Sequence, residues 1–113
     1  MLIIKKGKKI IAKKICDCKG LMSAVGLRFK KDFGDFDAYL IHMLFDSTLD
    51  SFFVYQDFAA IWLDKDYNVL KAELCKPWKF FSAVNGQSLV LELPASKKGL
   101  VKKGDKLDFK IDV

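Results

Sequence analysis

Four side chains of the sequence belong to the types that bind zinc, and their spacing is the first question. Cys16, Cys18, Cys75 and His42 would complete a tetrahedral thiolate and imidazole set. Zinc-binding cysteine pairs are usually separated by about two to four residues, whereas Cys16 and Cys18 are separated by one. The other two ligands lie far away along the chain. We expect neither a metal nor another cofactor, although the sequence does not show whether the four side chains meet in space.

Nucleophilic catalysis needs a Cys or Ser beside a His that a third group orients. His42 is the only histidine, and in the apolar run "AYLIHMLF" it alternates with Leu40 and Leu44. This pattern predicts a structural histidine on a core-facing side of a strand rather than a general base. Cys75 is adjacent to Lys76, which would lower the thiol pKa, but a free cysteine is more often a small buried apolar residue.

Carboxylate chemistry has candidates in two acidic segments. Asp32, Asp35 and Asp37 form one group and Asp46 and Asp50 another, and glycoside hydrolysis needs two carboxylates at a defined separation. The sequence gives no such distance, and acidic residues in loops are usually solvated. An enzyme with a carboxylate-based or cysteine-based site is therefore the alternative to the function preferred below.

The length and charge of the chain further limit the classes of protein to which it could belong. At 113 residues and 51% hydrophobic content, the chain predicts one domain over 1–113. No apolar run reaches bilayer length, which predicts a cytoplasmic protein without membrane contact. The net charge of +6 divides into +9 over 1–31, −7 over 32–74 and +4 over 75–113. Arg28 is the only arginine, so we rank nucleic-acid binding through the lysine-rich segments third.

The elements that must position these residues are mostly strands. A basic N-terminal strand segment occupies 1–19, with one strand over 8–16. A short helix or an irregular covering segment is predicted over 21–29. From residue 38 the runs "AYLIHMLF", "SFFVYQDF" and "AAIWLD" are typical of buried strands. "DKDYN" at 64–68 predicts a hairpin turn to "VLKAEL", and Pro77 in "CKPWKFF" indicates a loop or edge segment.

The last third of the chain completes the predicted architecture. In "SLVLEL" Leu89, Leu91 and Leu93 share one face of a strand that Pro94 ends, "ASKKG" can form one helical turn, and "KLDFKIDV" is a half-exposed closing strand. The chain is therefore predicted to be mainly β, with about seven strands and one or two short helical turns. We expect an antiparallel β-sandwich or a partly closed, jelly-roll-like barrel.

Several segments together resemble a known family over about 20–113. They are "GLM" at 20–22, "FFVYQDFAAIWLDKDYNVL" at 52–70, Pro77, and "LVLELPAS" followed by "GLVKKGDKL". In order and spacing the chain resembles the domain of unknown function 192 family of small bacterial and archaeal proteins. The resemblance implies a compact, mainly β, jelly-roll-like domain and carries no established activity.

The chain also departs from that family's usual pattern. Ser23 stands where an arginine is usual, Ser51 where a methionine is common, and "DFA" at 57–59 where proline, an apolar residue and aspartate are usual. These departures would remove part of any site built from the family's common polar residues. Asp64 and Asp105 match the pattern but fall in predicted turns, where they would bind backbone amides.

Glu92 also matches the family's pattern, and it interrupts an otherwise apolar strand. A buried carboxylate needs a partner. A lysine on a neighbouring strand, on a half-exposed face, is the ordinary explanation, and a ligand contact is the functional one.

Aromatic side chains provide the remaining candidates. Phe53 and Tyr55 share a face of one predicted strand, Trp62 lies in the next, and Trp78 follows Pro77. Phe53 and Trp62 are expected mainly in the core, whereas the proline loop could expose Trp78 to a ligand. We therefore predict a non-enzymatic binding or interaction module for a small molecule, a glycan or a protein. The sequence leaves the oligomeric state open.

Overall fold

The computed structural model describes residues 2–18, 30, 32–44 and 47–111, and the helix expected over 21–29 lies outside them. Within these ranges the chain forms ten strands and one 3₁₀ helix. The elements are β1 (Leu2–Lys6), β2 (Lys9–Ala12), β3 (Ile15–Cys18), β4 (Ala38–His42), β5 (Leu49–Asp50), β6 (Phe58–Leu63), β7 (Val69–Cys75), β8 (Phe80–Phe81), β9 (Leu89–Pro94), η1 (Ala95–Leu100) and β10 (Asp108–Ile111).

The strands form three sheets, and the prediction of a mainly β fold is confirmed. A three-stranded sheet has the order β10-β1-β2, a five-stranded sheet the order β3-β4-β9-β6-β7, and β5 pairs with β8. The sheets do not close into a barrel, and the jelly-roll-like order is not confirmed. Every pair is antiparallel except β3 with β4. Nineteen residues separate these two strands, enough for the crossover that a parallel pair requires.

The N-terminal segment differs from the single strand predicted over 8–16. The structure has two strands there, β2 and β3, with a bend at Lys13 and Lys14 between them. The backbone N–H groups of both lysines donate to the carboxylate of Asp37, at distances of 2.8 to 3.1 Å. These amides are bonded to a side chain instead of a neighbouring strand, so the strand is interrupted.

One face of the five-stranded sheet packs against the three-stranded sheet. The alternation predicted for β9 is confirmed, because Leu89, Leu91 and Leu93 all lie in this core cluster. Ile4 on β1 and Ile11 on β2 close the cluster from the other side. This pair of layers makes the sandwich.

The opposite face of the five-stranded sheet carries a second core cluster. Phe58, Ala60 and Trp62 of β6 contribute the alternate side chains of that strand, and Leu49 and Phe81 from the β5–β8 pair pack over them. All six residues of β6 are buried, so the strand is apolar on both faces. This second layer brings the loops around β5 and β8 together.

The predicted turns at Asp64 and Asp105 are confirmed. The Asp64 carboxylate accepts from the backbone N–H of Asp66 and of Asn68, and that of Asp105 accepts from the backbone N–H of Lys102. The hydrogen bond from the Asn68 backbone N–H is the main reason why the pKa of Asp64 is below its ordinary value. The helical turn predicted for "ASKKG" is present as η1.

No helix in the described ranges is long and apolar enough to cross a membrane.

Candidate binding site

The segment 51–57, predicted to be a strand, is a turn followed by a loop. Only Phe58 of the run "SFFVYQDF" enters β6. The backbone N–H of Val54 donates to the carbonyl oxygen of Ser51 at 3.2 Å, which closes the turn. The prediction that Phe53 lies in the core is therefore wrong, since 44% of its surface is exposed.

Ser51 joins this turn to the proline loop at 76–79. Its side chain is fully buried, and its hydroxyl donates to the carbonyl oxygen of Lys76 at 2.5 Å and accepts from the backbone N–H of Lys79 at 2.9 Å. The Ser51 carbonyl oxygen also accepts from the Trp78 backbone N–H at 2.9 Å, and the Ser51 N–H donates to the Lys79 carbonyl oxygen at 2.8 Å. Four bonds at one residue hold two loops together.

The two loops present a cluster of aromatic rings, which we call the aromatic patch: Phe52, Phe53, Trp78 and Phe80. The Phe53 and Trp78 ring centroids are 4.8 Å apart, those of Phe52 and Phe80 4.7 Å, and those of Phe52 and Trp78 6.1 Å. Trp78 is 54% exposed and Phe80 68% exposed. The patch is thus a connected apolar surface that faces solvent.

The backbone at the centre of the patch is strained. Phe53 and Trp78 each have a φ of 63°, a left-handed conformation that costs a non-glycine residue about 1 to 2 kcal/mol. The bonds of Ser51 flank both residues and fix this conformation. The rings of Phe53 and Trp78 thus extend from left-handed turns, a backbone conformation that no alternation of apolar residues would predict.

Of the other predicted aromatic residues, Tyr55 and Trp62 lie outside the patch. Tyr55 is exposed, but none of the ring contacts among the described residues joins it to the patch. Trp62 is fully buried on β6, as predicted, and the ammonium of Lys71 lies 4.5 Å from its ring centroid. Two of the ligand-binding candidates from the sequence, Phe53 and Trp78, are thus members of the patch, although Phe53 was expected mainly in the core.

Glu92 lies inside the five-stranded sheet rather than on a half-exposed face. Its residue surface is 4% exposed, and it is flanked in register by Tyr39 on β4 and Ala60 on β6. The prediction that Glu92 lies on a half-exposed face is therefore wrong. Its charge is one of the causes that raise the pKa of Cys18 and of Cys75. Glu92 belongs to the interior of the domain and is not part of the patch.

His42 does not share the core with Leu40. Its side chain is 42% exposed, and its Nε2 lies 2.6 Å from Oδ1 of Asp17. The prediction of a core-facing histidine is wrong because β4 ends at this residue and Leu44 beyond it is exposed. The imidazole is hydrogen-bonded to the Asp17 carboxylate, as expected of a structural histidine.

The three cysteines cannot form one metal site with His42. Cys16 and Cys18 have sulfur atoms 3.7 Å apart on β3, whereas Cys75 lies on β7 at the opposite edge of the five-stranded sheet. Four strand spacings separate these edges, which corresponds to about 19 Å. Burial is the main cause that raises the pKa of the Cys18 thiol, and likewise that of Cys75, to about 12. Neither sulfur is then a thiolate at neutral pH.

Sequence reasoning missed Phe52 and Phe80 as members of the patch and Ser51 as the residue that joins the loops. One signal for Phe80 was present, because "KPWKFF" places three aromatic residues directly after a proline. No signal indicated the role of Ser51, because its partners lie 25 to 28 residues away in the sequence.

The comparisons with known proteins support the fold alone. No family model and no curated protein matches the chain, and the resemblance to the domain of unknown function 192 family stays a prediction. A crystal structure of a protein of unknown function from Novosphingobium aromaticivorans DSM 12444 is similar with a TM-score of 0.72 at 17% identity, covering 95% of this chain and 82% of that one. A Sinorhizobium meliloti 1021 protein called a "putative transcription regulator" is similar with a TM-score of 0.75 at 14% identity, covering 96% and 91%.

Proposed function

We propose that this chain is a non-enzymatic interaction module that binds a partner protein through the aromatic patch. The observation that carries the proposal is the pair Phe53 and Trp78, whose rings are in contact, solvent-exposed and held by left-handed turns. Exposed apolar clusters of this kind usually mark binding surfaces. Aromatic residues, tryptophan above all, are enriched among the residues that dominate protein–protein affinity.

The angles between the rings favour a protein over a glycan or another flat ligand. The planes of Phe53 and Trp78 are inclined by 60°, those of Phe52 and Phe80 by 75°, and those of Phe52 and Trp78 by 41°. None of these three pairs forms a level platform on which a sugar ring or a base could stack. Inclined rings leave gaps between them, into which the apolar side chains of a protein segment fit.

The support under the patch also favours binding. Rings that were free to rotate would lose conformational entropy on association, which weakens affinity. Here the backbone on both sides is fixed by Ser51, so the centre of the patch is already ordered before a partner arrives. Preorganisation of this kind is what a recognition surface requires.

The enzyme alternative gains no support from the described residues. The thiols of Cys18 and Cys75 remain protonated at neutral pH, and the hydrogen bond of the exposed His42 joins it to the carboxylate of Asp17 rather than to a thiol or hydroxyl. Nucleic-acid binding stays our third proposal, and the name of the Sinorhizobium protein is compatible with it and with a protein-binding module. Affinity for mixed nucleic acid at low and moderate salt tests it.

A displayed library of random peptides tests the main proposal. Peptides enriched by the wild-type chain should carry aromatic or aliphatic residues, and Trp78→Ala should weaken their binding by about 10- to 100-fold in calorimetric titration, the loss typical of a central interface tryptophan. Intrinsic fluorescence gives an independent readout. Trp78 is exposed and Trp62 is buried, so occupation of the patch should shift emission to shorter wavelength through Trp78 alone.

Leu74→Ala is the matched control, because Leu74 is an exposed apolar residue on β7 outside the patch. Its binding should equal that of the wild type. A glycan panel is run in parallel with the same variants. If glycans bind and peptides do not, and if Trp78→Ala abolishes the glycan binding, then the partner is a carbohydrate and not a protein. Equal losses from Trp78→Ala and Leu74→Ala would remove the patch from the binding surface.

A further inference from the structure

A second candidate site lies at the outer edge of β7, and it is chemically unlike the aromatic patch. A concavity of about 500 Å³ opens there, and four lysines surround it: Lys71, Lys98, Lys102 and Lys103. Its apolar floor consists of Leu70, Ala72 and Val84. We call this space the lysine concavity. None of the described residues that line it is an aspartate or a glutamate.

Three of the four ammonium groups form no ion pair with a described carboxylate, although the charge of Lys102 contributes to the lowered pKa of the nearby Asp105. Lys71 is paired with Glu73 at 3.0 Å, whereas no ion pair within the described part of the chain involves Lys98, Lys102 or Lys103. All three are exposed residues that flank one opening. Because lysines stay protonated at neutral pH, the concavity carries a net positive charge. Like charges held around one opening repel each other, and a multivalent anion would relieve this repulsion.

The strand that forms the floor also offers a backbone donor. β7 is the last strand of its sheet, and Ala72 lies opposite Ile61 of β6. An edge strand leaves about every second backbone N–H without a partner strand. Among the described residues, no hydrogen bond from a turn or loop reaches the backbone of residues 70–72.

We propose that the lysine concavity binds a phosphorylated organic molecule, with its phosphate groups among Lys98, Lys102 and Lys103 and its apolar part against Leu70 and Val84. A volume of about 500 Å³ is in the range of small-molecule sites. Lysine ammonium groups bind phosphate as point charges and tolerate several phosphate positions. This site is separate from the aromatic patch, and the proposal does not depend on the function proposed above.

An acidic peptide that pairs with β7 as an additional strand is the competing occupant. Strand addition requires a free edge along several residues. Here Val84 and the turn that carries Lys102 and Lys103 line the same concavity as residues 70–72, and the backbone of Val69 is already bonded to Gly104 and Asp105. The edge of β7 that remains open at the concavity is therefore short, which suits a compact ligand better than an extended chain.

Calorimetric titration with inorganic triphosphate and with adenosine triphosphate tests the proposal, at low salt and at physiological salt. The wild-type chain should bind both, and adenosine triphosphate more tightly because its base can cover the apolar floor. The triple variant Lys98→Gln, Lys102→Gln, Lys103→Gln should lose about tenfold or more in affinity. Val84→Asp should abolish the preference for adenosine triphosphate over triphosphate.

The control is the triple variant Lys8→Gln, Lys9→Gln, Lys13→Gln, which removes the same charge from exposed lysines of the β1–β2 region. Its affinity should be within about twofold of the wild type, because these lysines lie outside the concavity. Equal losses in the two triple variants would show that net charge alone binds the anion and would overturn the proposal. Absence of binding to both phosphates, or binding of an acidic peptide alone, would overturn it as well.

Discussion

The two tryptophans of this chain illustrate two ways in which a β domain uses an aromatic side chain. Trp62 lies on β6, fully buried, on a face that strand alternation assigns to the core. Trp78 lies in a loop, more than half exposed, with a left-handed backbone. The first position is set by the regular geometry of a sheet and the second by hydrogen bonds between loops.

This difference separates stability from recognition within one small domain. Burial of Trp62 removes a large apolar surface from water and contributes directly to folding. The exposed ring of Trp78 contributes far less, and its conformation is maintained at the cost of backbone strain. Stability should therefore depend on the sheet, and binding should depend on the loops.

The largest expected effect tests this separation directly. Trp62→Ala should lower the free energy of unfolding by about 3 to 5 kcal/mol, because it leaves a cavity in the second core cluster. Trp78→Ala should lower it by less than about 1 kcal/mol, since the ring is largely solvated. Urea denaturation followed by circular dichroism measures both. Equal losses would mean that the patch is part of the folding core.

A smaller effect is expected at Ser51, which connects the two loops. Ser51→Ala should lower the free energy of unfolding by about 1 to 3 kcal/mol, because the Lys76 carbonyl oxygen and the Lys79 amide lose their buried hydroxyl partner. Ser82→Ala is the control, since Ser82 is exposed and should change stability by less than about 0.5 kcal/mol. If Ser51→Ala leaves stability unchanged in urea denaturation, the loops are held by other contacts.

The smallest effect concerns backbone strain at Phe53. Phe53→Gly should be more stable than Phe53→Ala by about 1 kcal/mol, because glycine adopts a φ of 63° without steric cost. At Phe80, which lies in β8, the order should be reversed, since glycine weakens a strand. Thermal unfolding of the four variants provides the comparison. The same order at both positions would contradict the role assigned to the left-handed turn.

The sequence predicted the central sheet because local pattern and tertiary position agree there. β6 is a continuous apolar run, β9 places its leucines on one face, and the hairpin at 64–68 has the side chains its turn requires. These elements follow from periodicity and turn chemistry alone. The parallel pairing of β3 with β4 could not be predicted, because register between distant strands depends on contacts that a single sequence does not specify.

The candidate site was only partly predictable for a related reason. "SFFVY" has the composition of a strand, and that composition led to the wrong prediction for Phe53. The deciding interactions are those of Ser51 with Lys76 and Lys79, across 25 and 28 residues. The lysine concavity has the same kind of origin. The turn after η1 packs beside β7, and this places Lys98, Lys102 and Lys103 around the same concavity as Lys71.

The pairing of β1 with β10 has a consequence for how the chain is made. Leu2 is opposite Ile111 and Lys5 is opposite Asp108, so β1 forms a ladder with a strand that is synthesised more than 100 residues later. The three-stranded sheet cannot be completed until β10 has emerged from the ribosome, and its contacts are among the most distant in sequence. Folding should therefore be slow for a domain of this size, with the β10-pairing edge of β1 open to chaperones until β10 is available.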